Sequence, residues 1–327
     1  MENTKLNIAL LAGGNSSERE IALGSAAQVA EAFDHQRYNV WLIDVHHRNF
    51  TYRNEGKEYG VDLNDFSLTV EDQKVVFDYA FVMIHGTPGE DGHIQGYLEM
   101  MGVPFSSCDM TSSVITFDKI STKRAVAHTG VNLAKGMLIG AEDWIAPDVI
   151  VAELGLPLFV KPNASGSSCG VTKVKSAEEV LPAIMAAFEE SDEVLVEEFI
   201  AGREFACGVM ATEEQFYRFP VTEVVAKNEF FDYEAKYTAG MSDENTPAQI
   251  SPELTTTLQD YAEAAYKACR CRGLARVDFI VTPEGEPYMI EINAIPGMSA
   301  GSIVPKQIKA AGMTMTEVLN LIIDNTL

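Results

Sequence analysis

Three apolar runs in the first third of the chain limit the fold more than any other feature of the sequence. Almost continuous apolar residues, with little polar alternation, make up LNIALLAGG, YNVWLIDV and YAFVMIHG. Runs of this kind are typical of strands buried on both faces in a parallel sheet that helices cover. The first run is followed by a helical pattern, SSEREIALGSAAQVAEAF, which Ser16 or Ser17 could cap. The sequence therefore predicts an N-terminal parallel α/β domain.

The rest of the chain alternates between strand and helix patterns without internal repeats or low-complexity linkers. Helices are predicted from about Asp109 to Ala141, in AEEVLPAIMAAFEES, in LTTTLQDYAEAAYKAC and near Thr314 to Asp324. Strands are predicted in LPLFVKP, GVTKVKS, VLVEEFIAGREFACGVM, QFYRFPVTEVV, ARVDFIV and PYMIEIN. We place domain boundaries near residues 106 and 190, which gives segments 1–106, 107–190 and 191–327. The polar stretch from Ala226 to Pro252 is long for a loop, and such loops are usually functional or disordered.

The charge of the chain argues against several functions. Its 327 residues hold 24 Lys and Arg against 48 Asp and Glu, a net charge of −24. A surface this acidic repels phosphate backbones and anionic lipids, so we expect no nucleic-acid and no membrane partner. Any polyanionic ligand needs local cations or a metal ion. Because no apolar run is long enough to span a membrane and the N-terminus lacks a leader pattern, we expect a cytoplasmic protein. Its five scattered cysteines fit reduced thiols.

Three glycine-rich turns follow predicted strands. The turn in AGGNSSERE lacks the G-x-G-x-x-G spacing of a dinucleotide site and could instead be a ligand-facing turn. The turn in HGTPGEDGHIQG is either a surface turn or part of a site at the same sheet edge. In NASGSSCG, small residues would let backbone N–H groups approach an anion, and the preceding Lys161 could place an ammonium group near phosphates. A flexible loop between two strands is the alternative for this third turn.

A predicted hairpin near the C-terminus carries oxygen ligands. The turn PEGE joins RVDFIV, which holds Asp278, to MIEIN, which holds Glu291 and Asn293. Glu291 and Asn293 are two positions apart, so both side chains leave one face of the strand. By themselves they fit a capped edge strand with two solvated residues. Together with Asp278 they match the preference of Mg²⁺ for carboxylate and carbonyl oxygens, and we predict a magnesium site.

Several motifs together resemble D-alanine–D-alanine ligases of the ATP-grasp superfamily. They are GGNSSEREIALGS, HGTPGEDGHIQGYLEMMGVPF, Asp118–Lys119, FVKPNASGSSCGV, VEEFIAGREF, FDYEAKY, GLARVDFIV and EINAIPGM through SIVP. The resemblance covers essentially the whole chain in the order of the family. It implies an α/β ATP-grasp fold, in which an N-terminal parallel α/β domain precedes two lobes that enclose ATP, and it implies a homodimer.

The resemblance also implies where ATP and metal ions bind. The ATP-binding positions are Lys119, Lys161, Ser168, Glu197, Glu198 and Glu204, with the two lysines on the phosphates and Glu204 on the ribose. Asp278, Glu291 and Asn293 fall on positions that hold two Mg²⁺, for which Mn²⁺ could substitute, in agreement with the hairpin argument.

The implied reaction has two steps. The carboxylate of one D-alanine attacks the γ-phosphate of ATP, and the amine of a second D-alanine attacks the resulting acyl phosphate. Glu18 and His85 match residues around the first alanine, whereas Lys236 and Ser302 match those that hold the carboxylate of the second. Arg276 and the backbone N–H of Gly297 match donors to the tetrahedral oxyanion. Ser167 and Tyr237 match a hydrogen-bonded bridge to Glu18 that closes a loop over the site. The proton acceptor is not assigned.

The sequence departs from the family pattern at three positions. Ala294 and Gly301 stand where a hydroxyl or a bulkier residue is expected, and Ala22 stands where Ser is frequent. Since these positions surround the second-alanine subsite, ligases that form D-alanyl-D-lactate or D-alanyl-D-serine are the nearest alternatives, although Tyr237 favours the dipeptide. A non-catalytic sensor of ATP or a D-amino acid is the alternative from another class. As a dipeptide ligase, the protein would supply peptidoglycan precursor synthesis.

Overall fold

The computed structural model of the chain describes residues 5–166, 169–226 and 242–327. The helices of these residues are α1 (Arg19–Ala32), α2 (His93–Met101), α3 (Met110–Phe117), α4 (Lys119–Val126), α5 (Pro147–Leu154), α6 (Ala177–Phe188), α7 (Pro252–Ala268), α8 (Ile303–Ala310) and α9 (Met315–Thr326). The strands are β1 (Leu6–Gly13), β2 (Tyr38–His46), β3 (Asn49–Asn54), β4 (Lys57–Asp62), β5 (Ser67–Val70), β6 (Gln73–Val76), β7 (Tyr79–Val82), β8 (Asn132–Leu133), β9 (Gly136–Gly140), β10 (Leu158–Pro162), β11 (Thr172–Val174), β12 (Glu193–Glu198), β13 (Arg203–Ala211), β14 (Phe216–Arg218), β15 (Thr222–Ala226), β16 (Ser242–Asn245), β17 (Gly273–Val281) and β18 (Pro287–Asn293).

The predicted parallel strands form one end of the first sheet. β1 lies between β2 and β7 and pairs with both in parallel. Ile8 and Leu10 of β1 pack in a cluster with Val29 of α1, whereas Ala9 and Leu11 pack in another cluster with residues of α2. Because both faces of β1 are covered, its sequence from Ile8 to Ala12 is apolar at every position rather than at alternate ones.

An antiparallel extension of this sheet was not predicted. The strands β3 to β6 add to the free side of β2, in the order β6-β5-β4-β3-β2-β1-β7. Two of its turns contain two residues: Glu55 and Gly56 have φ of 48° and 78°, and Glu71 and Asp72 have φ of 48° and 66°. Positive φ at both central residues matches the twist of a hairpin, so these turns favour antiparallel return of the chain.

A second sheet is antiparallel and has the order β11-β10-β12-β9. Helices α5 and α6 pack on it through an apolar cluster that includes Ile150, Val160 and Val180. The prediction of helix from Asp109 to Ala141 is correct for α3 and α4 but wrong beyond them, because β8 and β9 occupy 132–140. Pairing of β9 with β12 decides the conformation of this short segment. The predicted boundary near 190 falls before β12, which belongs to this sheet.

The third sheet has the order β16-β15-β13-β17-β18-β8, with β14 paired to β13. Helix α7 covers one face through residues such as Leu258 and Ala262. The predicted hairpin is confirmed, since β17 and β18 are antiparallel neighbours. The C-terminal helix α9 was predicted, whereas α8 was not. Within the described ranges, no helix is both long and apolar enough to cross a bilayer.

Candidate active site

Two adjoining cavities lie where the three sheets meet. The larger cavity, of about 560 Å³, is lined by strands of the third sheet and by segments that follow strands of the first and second sheets, and the smaller cavity, of about 210 Å³, lies between the second and third sheets. Residues that line both cavities are Lys119, Ser165, Gly166, Glu204, Asp278, Ile290 and Glu291. A ligand that fills the smaller cavity can therefore present one end to a ligand in the larger cavity.

The smaller cavity combines aromatic side chains with a buried ionic cluster. Phe159 and Phe199 line it, and their rings are 5.7 Å apart. Both Lys161 and Lys123 form ion pairs with Glu197, which is buried. Burial opposes ionisation of Glu197, but the two ammonium groups outweigh it and hold its pKa below the ordinary value. The cluster thus carries an excess positive charge in a very acidic chain.

Lys123 was not predicted as a site residue. It follows Lys119 by four positions on α4, and this spacing places both side chains on one face of the helix. Burial lowers the pKa of Lys123, although Glu197 opposes this shift. The helical spacing was visible in the sequence, but the partner on β12 was not.

The Asp118–Lys119 pair fixes the loop that follows β10. Asp118 caps α4 by accepting from the backbone N–H of Ser121, and it also accepts from Nδ2 of Asn163 at 2.6 Å. Nζ of Lys119 donates to the backbone carbonyl of Ser165 at 2.7 Å. These bonds hold the small-residue loop against α4 at the border of the two cavities.

The remaining acids predicted for ATP also border the cavities. Glu198 lines the smaller cavity, and its carboxylate accepts from the backbone N–H of Lys135 at 2.7 Å. Glu204 lines both cavities from β13, at a register position next to the β17–β18 hairpin.

The predicted metal ligands meet on this hairpin. Asp278 and Glu291 are directly opposite one another, and so are Arg276 and Asn293. Arg276 donates to both carboxylate oxygens of Asp278, with both distances 2.7 Å. The amide oxygen of Asn293 accepts from the same guanidinium at 2.7 Å, while its nitrogen donates to Glu90 at 3.2 Å.

This donor set fits a hard divalent cation. Two carboxylates face each other where the cavities join, and Asp278 is only 8% exposed. Arg276 offsets the charge of Asp278, and the carboxylate and amide oxygens on this face are ligands that Mg²⁺ accepts. Among the described residues no cluster of three or more His, Cys, Asp or Glu suits a metal, but the predicted set consists of two acids and an amide.

Glu18 lies against the small-residue loop. It immediately precedes α1, and its carboxylate contacts the backbone of Gly166 so closely that a β-carbon there would stand 2.2 Å from Oε2. Ser17 also contacts Cys169 of the same loop, with 3.5 Å between Oγ and Sγ. The segment after the first glycine-rich turn therefore borders the larger cavity and contacts the loop of the second sheet.

His85 joins the N-terminal domain to the turn after β18. Its Nδ1 donates to the carbonyl of Ile295 at 3.0 Å, since that oxygen can only accept. Its Nε2 is 3.4 Å from Oγ of Ser25 and accepts from it when the ring is neutral. Burial lowers the pKa of His85 and so favours this neutral form. Ser25 in turn accepts from the backbone N–H of Met298 at 3.3 Å.

Glu90 is a buried acid that the sequence analysis did not single out, although it lies within HGTPGEDG. Its Oε2 accepts from the backbone N–H of Gly86 at 2.7 Å. Burial, reinforced by the neighbouring carboxylate of Glu18, raises the pKa of Glu90 to about 8. Together with its bond to Asn293, this places Glu90 between the second glycine-rich turn and the hairpin.

Gly297 and Ser302 line the larger cavity from the segment between β18 and α8. A β-carbon at Gly297 would stand 2.9 Å from Oγ of Ser302, so glycine allows this close approach. Ser302 precedes α8, and its hydroxyl is 2.8 Å from that of Ser299. Ala294 and Gly301 line the same cavity.

The predicted residues fall into two groups. The larger cavity is lined by Glu18, His85, Lys119, Glu204, Arg276, Asp278, Glu291, Asn293, Gly297 and Ser302, and the smaller by Lys119, Lys161, Glu197, Glu198, Glu204, Asp278 and Glu291. Four predicted residues, Ser167, Ser168, Lys236 and Tyr237, lie outside the described residues.

An N-terminal α/β domain beside two lobes of antiparallel sheet, with cavities between them, is the architecture of the ATP-grasp fold, whose two lobes enclose ATP. The protein therefore belongs to the class of ATP-dependent ligases. Family models described as the N-terminus and the C-terminus of D-ala D-ala ligase match residues 7–108 and 126–324. The chain belongs to the D-alanine–D-alanine ligase family.

Individual relatives are similar over nearly their whole length. D-alanine–D-alanine ligases of Bacteroides fragilis and Parabacteroides distasonis are 43% and 44% identical, over 98% and 99% of this chain and 99% and 98% of theirs. Among solved structures, the VanG D-Ala:D-Ser ligase of Enterococcus faecalis superposes with a TM-score of 0.89 at 31% identity, covering 99% of this chain and 100% of that one. The D-alanine–D-alanine ligase of Bacillus anthracis complexed with ATP superposes with a TM-score of 0.78 at 28% identity, covering 98% of this chain and 96% of that one.

Proposed function

We propose that the protein joins two D-alanine molecules into D-alanyl-D-alanine while ATP is converted to ADP and phosphate, for peptidoglycan precursor synthesis. The observation that carries this proposal is the junction of the two cavities at Lys119, Asp278 and Glu291. A nucleotide in the smaller cavity would direct its terminal phosphate at this junction, where a carboxylate in the larger cavity can reach it.

In this proposal the smaller cavity holds ATP. The aromatic side chains Phe159 and Phe199 suit a purine, with the strand end at Glu197 and Glu198 beside it. Glu204 would hold the ribose hydroxyls. The phosphates would lie near Lys119, Lys161 and the loop that contains Ser168, where ammonium and backbone N–H groups offset their negative charge.

Asp278, Glu291 and Asn293 would hold two Mg²⁺ ions, or Mn²⁺ in their place. When bound, the metal neutralises charge on the phosphoryl oxygens. Arg276 already contacts Asp278 and Asn293, so the same guanidinium is positioned beside the reacting groups.

Glu18 would bind the ammonium group of the first D-alanine, with His85 fixing the adjacent turn. The carboxylate of this alanine attacks the γ-phosphorus, the bond to the bridging oxygen of ADP breaks, and an acyl phosphate forms. Closing the loop through Ser167, Tyr237 and Glu18 would exclude water, which otherwise hydrolyses this intermediate.

The second D-alanine would bind at the opposite end of the larger cavity, with its carboxylate on Lys236 and Ser302. Its neutral amine attacks the acyl carbon, phosphate leaves, and the amine proton passes to a base. Arg276 and the backbone N–H of Gly297 would stabilise the tetrahedral oxyanion. The close approach of Gly297 to Ser302 supports a shared role of this turn.

The wider organisation is proposed on the same basis. We assign an N-terminal substrate domain to 1–106, a central lobe from 107 and a C-terminal lobe that ends at 327. The boundary between the lobes is better placed after β12 than at 190, because β12 pairs with β9 and β10. We also propose that the protein is a cytoplasmic homodimer.

Product analysis tests the function. Purified protein is supplied with ATP, Mg²⁺ and D-alanine, and the products are identified by mass spectrometry while ADP release is followed with and without D-alanine. We expect D-alanyl-D-alanine and ADP release that depends on D-alanine. In competition, a mixed product with D-serine or D-lactate would show a relaxed second subsite, which would implicate Ala294 and Gly301. ADP release without any ligation product would overturn the proposal.

A further inference from the structure

An ion pair that has no role in the proposal above borders the larger cavity. Nζ of Lys306 on α8 is 2.7 Å from Oε2 of Glu244 on β16. Both residues line the larger cavity, and the side chain of Glu244 is 13% exposed against 39% for Lys306. The carboxylate is therefore the anchored partner, and the ammonium group is the more accessible one.

The position of Lys306 places it at the end of the cavity that the second substrate would occupy. Lys306 lies on the first turn of α8, four residues after Ser302, and both residues line the larger cavity. The described cations that line this cavity are Lys119, Arg276 and Lys306. Of these, Lys119 contacts the loop of the second sheet and Arg276 contacts Asp278, whereas Lys306 is on the helix that Ser302 begins.

Glu244 holds this ammonium group from the edge of the third sheet. It is opposite Val224, which in turn is opposite Glu204, so the three side chains share the sheet face that lines the cavity. β16 is also the first described strand after residue 241. The pair therefore ties β16, at the edge of the third sheet, to the helix at the second-substrate end.

We infer that Lys306 binds the carboxylate of the acceptor amino acid, and that Glu244 is a positioning residue that keeps the ammonium group at the cavity. The inference rests on the proposed function and adds a cation beside Ser302 to the subsite of the second substrate. An ammonium group has three N–H donors, so Lys306 can donate to the carboxylate of a substrate while it still donates to Glu244.

The test measures how much D-alanine is needed to convert acyl phosphate to dipeptide. For Lys306→Met, we expect the D-alanine concentration at half-maximal dipeptide formation to rise on the order of tenfold, the loss typical of one charge-assisted hydrogen bond. At low D-alanine, more ADP is released per dipeptide because the intermediate is hydrolysed. The KM for ATP and the coupling at saturating D-alanine remain as in the wild type. Lys306→Arg retains the cation and should recover most of the loss.

A merely structural ion pair gives a different result in a charge swap. Lys306→Glu combined with Glu244→Lys restores an ion pair between β16 and α8 but presents a carboxylate to the acceptor. We expect it to regain the thermal stability lost in Lys306→Glu alone, while acceptor use stays impaired. Recovery of wild-type acceptor use by the swap would overturn the inference, as would an unchanged D-alanine dependence in Lys306→Met.

The control is Lys309→Met, an exposed lysine on the same helix that does not line the cavity. It should leave both the D-alanine dependence and the ratio of ADP to dipeptide unchanged, and an effect equal to that of Lys306→Met would also overturn the inference. Absence of dipeptide from the wild-type protein would instead refute the proposed function, so the two failures are distinguishable.

Discussion

At the scale of single residues, contacts between distant segments build the site. Glu18 precedes α1, yet its carboxylate rests on Gly166, which follows a strand of the second sheet. His85 follows β7 and contacts Ile295 beyond β18. Each contact fixes one side chain of the larger cavity through a partner far away in sequence, so a small change at the partner should alter the site more than it alters the fold.

Replacing Gly166 by Ala tests the first contact. The added β-carbon would stand 2.2 Å from Oε2 of Glu18, so either the carboxylate or the loop must move. We expect kcat/KM for D-alanine to fall at least about tenfold, as a displacement of about 1 Å can cost more than this. Steady-state kinetics and thermal melting provide the measurements.

The control is Gly60→Ala, since a β-carbon at Gly60 has no neighbour within 4 Å. Wild-type kinetics in Gly166→Ala would show that Glu18 tolerates the displacement.

Replacing His85 by Gln tests the electrostatic state of the second contact. Burial holds the pKa of His85 below its ordinary value near 6.5. As the pH falls, the unfolded chain therefore binds a proton at this residue before the folded protein does. The stability that this group contributes is present above pH 6.5 and is lost as the pH falls below it, by at most about 1.4 kcal/mol per pH unit. Urea midpoints at pH 7.5 and 5.5 should differ less in His85→Gln than in the wild type. Equal pH dependence of the two proteins would mean that the pKa of His85 is the same in the folded and unfolded states.

At the scale of elements, the β17–β18 hairpin organises the reacting end of both cavities. Its antiparallel register puts Asp278 opposite Glu291 and Arg276 opposite Asn293, with all four on one face. A register shift of one residue would turn all of one strand's polar side chains toward the opposite face, which α7 covers. The hydrophobic residues that alternate with them therefore help to specify the geometry of the proposed metal site.

Glu291→Gln tests the function of this face. The substitution keeps the shape of the side chain and removes one negative charge from the proposed metal site. We expect turnover to fall at least about 100-fold, because the loss of a charged ligand weakens metal binding and transition-state stabilisation together. The melting temperature should change little. Isothermal titration with Mn²⁺ and nucleotide checks the weakened binding independently of turnover, and a near-normal rate would remove Glu291 from the metal site.

At the scale of the whole molecule, one apolar cluster joins the two ends of the chain. It contains Ile8 and Leu10 of β1 together with Leu319 and Ile322 of α9. The first sheet and the C-terminal helix therefore share a core, although about 300 residues separate them in the sequence. This shared core fixes the first glycine-rich turn relative to the third sheet, and the larger cavity depends on that relation.

Leu319→Ala tests the shared core. Leu319 is fully buried, so its truncation should lower the free energy of unfolding by about 2–5 kcal/mol. Urea denaturation followed by far-UV circular dichroism and by intrinsic fluorescence gives the measurement. Leu327→Ala is the matched control. Because Leu327 is 57% exposed, its truncation should lower the free energy of unfolding only slightly. Similar midpoints for the two variants would show that α9 does not contribute to the core.

Much of the site could be predicted because it depends on short sequence patterns. Glycine-rich turns after apolar strands, and acids two apart on a hairpin, follow from short-range geometry, and the resemblance supplied their order along the chain. The antiparallel extension β3–β6 and the strand β9 were missed because pairing with distant strands, rather than local pattern, decides such segments. Lys123, Glu90 and Lys306 were missed for the same reason, since their partners come from other elements.

The sequence by itself determined that β1, β2 and β7 are parallel strands, that Asp278, Glu291 and Asn293 lie on one hairpin, and that small residues follow β10. These properties depend on the period of the backbone and on residue type. Only the tertiary structure decided that the cavities adjoin, that Glu197 holds two lysines, that Glu18 rests on Gly166 and that Glu244 pairs with Lys306. Such contacts depend on how three sheets pack together, because burial of their apolar faces brings residues from distant segments within reach of one another.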